Sequence, residues 1–250
     1  MLLVLCATFM FFIQRAKKGR VSSIRRLAGL DAIEEAVGRA TEMGRPVHFS
    51  TGFGHYGLTN PSYASQHLAG LSVLGYVSEL VAERKATLIA SIAHPEMIPL
   101  YEDIIKQAYI RRGAPELFKP DTVRFLSSYQ LAFAAGVMGL LLKEKVASSV
   151  IIGTFMAESL LFSEAGAVAG CLQVAGTANV SQLPFFAGIC DYTLIGEDIY
   201  AAGAYVSKDP VLVGSIAGQD VGKILAMLLI VLAVAFASLR IGFLTQLLRT

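Results

Sequence analysis

Two uncharged apolar runs bracket this sequence, and they constrain the fold more than anything between them. Residues 2–13 form a twelve-residue run and residues 224–239 a sixteen-residue run, each free of Asp, Glu, Lys and Arg. A lipid core accepts helices because a helix satisfies its own backbone hydrogen bonds. The expectation is therefore an N-terminal transmembrane helix at 1–16, a basic linker at 17–29, an α/β domain at 30–220 and a C-terminal transmembrane helix at 221–250.

Charge gives the two runs a direction. No basic residue precedes the first run, whereas Arg15, Lys17, Lys18, Arg20, Arg25 and Arg26 follow it. Basic residues flanking a span stay in the cytoplasm, so the body is expected in the cytoplasm with both termini outside. The order of charge and apolar run is the reverse of a secretory signal, which favours an uncleaved anchor. Lys223 opens the second run and Arg240 interrupts its far side, where it can snorkel while 241–244 extend the helix. The first run is short, since a spanning helix needs about 20 residues.

Composition agrees with a membrane setting. Hydrophobic residues make up 54% and charged residues 16%, against about 25% charged in an ordinary soluble domain. The anchors alone do not account for the excess, so the body either has a large core or buries surface against other subunits. A net charge of +2 argues against a nucleic-acid partner. Cys6, Cys171 and Cys190 have no metal-ligand spacing and form no disulfide framework, which suits a reducing compartment.

Between the anchors, helical periodicity alternates with short apolar runs. Helices are expected at 31–43, 63–85, 95–112, 129–145, 155–168, 180–187 and 198–206, and strands at 46–50, 87–91, 122–126, 148–152, 171–175 and 191–195. Near-continuous apolar strands separated by helices imply a doubly covered parallel sheet, so the fold class is α/β, Rossmann-like and doubly wound, with about six strands. Each strand ends in small or polar residues that fall on the carboxyl edge, where open α/β sheets bind ligands. Thr51, Gly52, Gly54, His94, Thr154, Gly176, Thr177 and Glu197 are the ligand-binding candidates. Tight βα turns need the same Gly, Ser and Thr residues without any ligand.

Catalytic motifs fare poorly. Residues 52–57 (GFGHYG) fit the glycine pattern of a dinucleotide loop, but Leu58, Thr59, Asn60 and Pro61 precede the helix and no acid ends the second strand. His48 sits inside a strand as a structural residue, and His55 and His94 follow strands without ligand spacing. Glu158 falls in the first turn of an apolar helix, where it suits the helix dipole. No nucleophile elbow, phosphate loop or zinc motif is present. No metal, cofactor or catalytic residue is implied.

The segments 190–202 (CDYTLIGEDIYAA), 30–36 (LDAIEEA), 41–47 (TEMGRPV), 157–161 (AESLL) and 218–220 (GQD) together resemble an uncharacterised family of prokaryotic membrane proteins, a domain of unknown function. The resemblance covers nearly the whole chain and implies a membrane location. The apolar body, the two tethered ends and the lack of a catalytic constellation lead instead to the expectation of a non-catalytic scaffold: a membrane-anchored α/β subunit that forms a homo-oligomer or docks to a larger membrane complex. The alternative is a small-ligand or nucleotide-binding domain, possibly enzymatic, that uses the carboxyl edge.

Overall fold

The computed structural model describes residues 2–19, 27–54 and 57–238. Within these, β1 (Val47–Ser50), β2 (Leu88–Ile92), β3 (Val123–Phe125), β4 (Ser148–Gly153), β5 (Leu172–Thr177) and β6 (Tyr192–Ile195) form one sheet in the order β3-β2-β1-β4-β5-β6. Every pairing is parallel, with Val47 level with Leu88 on one side and with Ser148 on the other. This is the strand order of the dinucleotide-binding fold, whose topological switch point lies between β1 and β4.

Helices follow each strand as the alternation requires. They are α1 (Leu2–Lys17), α2 (Ala28–Met43), α3 (Pro61–Glu83), α4 (Ile98–Arg111), α5 (Gln130–Lys143), α6 (Glu158–Ala169), α7 (Leu183–Ile189), α8 (Asp198–Ser207) and α9 (Pro210–Ser238). Local chemistry sets several ends. Gly44 closes α2 in the left-handed conformation at φ 60°, and the Asn60 side chain accepts the Ser62 N–H to open α3 with Pro61 in its first turn.

Strand periodicity divides the core in two. Val47, Phe49, Ala90, Ile92, Val150, Ile152 and Val174 pack under α2, α3, α4 and α8. Ile89, Ile151 and Ala175 point the other way, under Phe133 of α5, Phe162 of α6 and Phe186 of α7. On that second face the fully buried His48 joins three strands, its Nδ1 2.9 Å from Ser149 Oγ and its Nε2 2.8 Å from Ser91 Oγ.

The chain divides into two compact units. Residues 25–207 form the α/β body, and 1–24 with 208–250 form the other. In the second unit α1 and α9 pack together. The helix α9 starts at Pro210, so the boundary expected at 221 falls inside it. Asp209 opens it: its carboxylate accepts the Val211 N–H at 2.6 Å and its carbonyl accepts the Val213 N–H at 2.9 Å. Gln219, Asp220 and Lys223 interrupt the apolar run without interrupting the helix. Among the described residues one helix is long and apolar enough to cross a membrane, Pro210–Ala235, with mean hydropathy 1.8. The sixteen-residue α1 falls short of that length, so two such flanking helices are not found.

Candidate functional site

The carboxyl ends of β1, β2 and β4 bring together Thr51, Gly52, Gly54, His94 and Thr154, which the sequence places far apart. Among the described residues Thr51, Gly52, Gly54 and Thr154 are buried and bond to one another rather than facing solvent. The β1–β4 ladder continues past the strands: Thr154 N–H donates to Thr51 O at 3.0 Å, and Gly54 N–H donates to Thr154 O at 3.2 Å. Gly52 has φ 85°, and a Cβ there would lie 2.2 Å from Thr154 O. Gly54 has φ 29°, and its Cβ would lie 2.2 Å from His67 Nε2. Gly52 allows close backbone approach between the loops, and Gly54 leaves room for the His67 ring.

A chain of buried polar groups lies beneath. Tyr101 Oη is 2.7 Å from Thr51 Oγ1, which is 3.2 Å from His67 Nδ1. Burial raises the Tyr101 pKa, so the phenol keeps its proton. Burial, and secondarily the neighbouring His94, lower His67 to about 4 against a small opposing effect of the Gly54 backbone, so this imidazole is neutral. Its Nε2 has no hydrogen-bond partner among the described residues. His94 donates from Nε2 to the carbonyls of Phe53 and of Gly54, the latter at 2.9 Å.

Glu158 is the residue whose weight the sequence conceals. It is fully buried at the start of α6. Oε1 accepts the Phe53 N–H at 3.2 Å and the Met156 N–H at 3.0 Å, and Oε2 accepts from Gln130 Nε2 at 2.6 Å. One carboxylate thereby ties together the loop after β1, the loop after β4 and α5. The first-turn position was legible; the ties to Phe53 and Gln130 span 105 and 28 residues and leave no local signal.

The remaining candidates lie at the carboxyl ends of β5 and β6 along the same edge, where Thr177 is level with Gly153 in the β4–β5 ladder. Thr177 ends β5 and donates to Gln66 Oε1 at 3.3 Å. Gly176 lies inside β5, where a Cβ would touch Ile199 and Leu194 at 3.0 Å, so it serves packing. Glu197 follows β6, and its carbonyl accepts the Tyr200 N–H at the start of α8. His55, Arg20, Arg25, Arg26 and Arg240 lie outside the described residues. Among the described residues no group of three His, Cys, Asp or Glu side chains could hold a metal ion.

Burial keeps three side chains with nucleophile or base chemistry neutral. His48 lies between two serines, but burial lowers its pKa to about 3. Burial pushes the Cys171 thiol up to about 12 and Cys190 to about 11, so both stay protonated.

In the other unit, α1 and α9 meet through glycine. A Cβ on Gly214 would lie 2.6 Å from Ile13 Cα, and one on Gly218 2.8 Å from Phe9 Cδ1. Moving up α9 corresponds to moving down α1, so the two helices run antiparallel. Gly214, Gly218 and Gly222 recur every four residues, the spacing that lets helix backbones approach closely in membranes.

Fold and site together define an α/β domain on a six-stranded parallel sheet, followed by one helix long enough to span a bilayer. The chain belongs to the family described as domain of unknown function DUF6754, whose model matches residues 1–248. Comparison with curated proteins and with solved structures finds no match.

Proposed function

We propose that this protein is a membrane-anchored, non-catalytic assembly subunit whose α/β body is held at the bilayer by paired α1 and α9 helices. The observation that carries this reading is the glycine-mediated fit of α1 onto the candidate span. At 1.5 Å per residue α1 is roughly 24 Å long, short of the ~30 Å hydrocarbon core, and it enters the bilayer against α9 rather than alone. The body is cytoplasmic and both chain ends lie on the opposite side, because Arg15, Lys17 and Lys18 follow the apolar run. The loops after β1 and β4, bonded to each other at the switch point, support a structural rather than a catalytic body. So do the exposed apolar side chains at the start of α5, where Tyr129 is 81% and Leu131 72% exposed.

Light scattering on the full chain in mild detergent tests the reading. A defined homo-oligomer or a stoichiometric co-purifying membrane protein is expected, and a clean monomer with no partner contradicts it.

One observation favours a second reading, a ligand at the carboxyl edge. His67 Nε2 is a buried polar atom without a partner among the described residues, beside the glycine loop. A nucleotide or small anion bound there raises the melting temperature in a thermal-shift panel. No shift across the panel removes that reading.

A further inference from the structure

The polar residues of α9 lie where an apolar helix should have none. Asp220 and Lys223 form an ion pair with Nζ 3.2 Å from Oδ1, inside the Pro210–Ala235 span. They sit ten and thirteen residues from Pro210, about 15 and 20 Å along the helix and so near the middle of the 26-residue candidate span. The α1 register agrees. Phe9 meets Gly218, and the α1 residues that continue past it, 2–8, carry no charge. The pair is therefore flanked by an apolar helix at its own depth.

It also points away from that helix. Gly214 and Gly218 are buried against α1. Asp220 and Lys223 are two and five residues beyond Gly218, about 200° and 140° around the axis. Their side chains are 63% and 43% exposed. Ionisable residues at this depth face protein or a water-filled cavity, not lipid.

We propose that this face of α9 is the contact between copies of this chain, with Asp220 of each copy paired to Lys223 of the next. The inference rests on the assembly reading above and names its interface. Charge complementarity carries it. Copies inserted in the same orientation bring like-numbered residues to the same depth, and Asp220 and Lys223 are one turn apart. A two-fold axis along the helices then forms both cross-pairs reciprocally, as an isologous interface requires. Met227, seven residues beyond Asp220 and 58% exposed, continues the same face.

The test uses two differently tagged full-length copies, co-expressed and solubilised in mild detergent. Wild-type copies are expected to co-precipitate. Asp220→Lys alone or Lys223→Asp alone is expected to lower self-association more than about tenfold, since each leaves like charges opposed. Co-expressing the Asp220→Lys copy with the Lys223→Asp copy restores it, as does the double swap within one chain. Single variants that associate as well as wild type overturn this interface and leave the assembly reading standing. Wild-type copies that do not associate overturn the inference, and light scattering then separates a partner complex from a monomer, which ends the assembly reading too. Should the single variants not accumulate in membranes, Met227→Cys in a Cys6→Ser background leaves the charges intact. Oxidation is expected to cross-link it copy to copy, and the absence of that product overturns the proposal.

Discussion

At Glu158 a single carboxylate replaces what would otherwise be three unmet donors: two backbone N–H groups and the Gln130 amide. Glu158→Gln keeps the shape but turns one acceptor into a donor facing donors. The expected cost is about 1–3 kcal/mol, read as a lower melting temperature of the purified protein. Gly52→Ala forces a Cβ toward the Thr154 carbonyl at a positive φ and is expected to cost roughly 2–4 kcal/mol. An unchanged melting temperature in either variant contradicts this loop geometry.

The buried histidines set a pH dependence. Unfolded imidazoles titrate near 6.5, whereas burial holds His67 at about 4 and His48 at about 3. Below pH 6.5 the unfolded chain binds protons that the native state refuses. Stability is thus complete above 6.5 and lost as the pH falls toward 4 and then 3. His67 alone accounts for about 3 kcal/mol of that loss. The melting temperature is expected to be level from pH 8 to 7 and to decline from 6.5 to 5, with a shallower decline in His67→Asn. A melting temperature that rises on acidification contradicts this.

Among elements, the α1–α9 contact depends on the absence of a side chain at two positions. Gly214→Ile and Gly218→Ile are expected to separate the helices and to speed trypsin cleavage after Arg15, Lys17 and Lys18 several-fold. Gly139 is the control: it lies within α5 with open space at its Cβ, so Gly139→Ala is expected to stabilise by about 0.5–1 kcal/mol. The strand and helix alternation was legible because doubly covered strands read as apolar runs and because Gly44, Gly170 and the turn residues punctuate them. Six expected strands and seven expected body helices coincide with observed elements to within a few residues at their ends. The start of α9 was not legible, since Gln219, Asp220 and Lys223 mimic the end of a soluble domain. The glycine face shared with α1 was equally hidden, because its partners lie about two hundred residues away in sequence. At the carboxyl edge Thr51, Gly52, Gly54, His94 and Thr154 follow their strands as the sequence suggests, while Gly176 and Thr177 belong to β5 itself. Whether the loops bond to one another depends on hydrogen bonds between segments a hundred residues apart, which no local pattern encodes.

For the whole molecule, the sheet order is that of a ligand-binding fold, and at its switch point the described parts of the loops after β1 and β4 bond to each other. We propose, as above, that the antiparallel α1–α9 pair anchors the chain in the membrane with the body in the cytoplasm. The most direct measurement is a topology map of the full chain in cell membranes, with reporters at each end and thiol labelling of an exposed body position such as Val168→Cys. Both ends are expected on the outer side, with the body cysteine labelled only after the membrane is opened to the cytoplasm. Ends on opposite sides, or a body position labelled from outside intact cells, would contradict it.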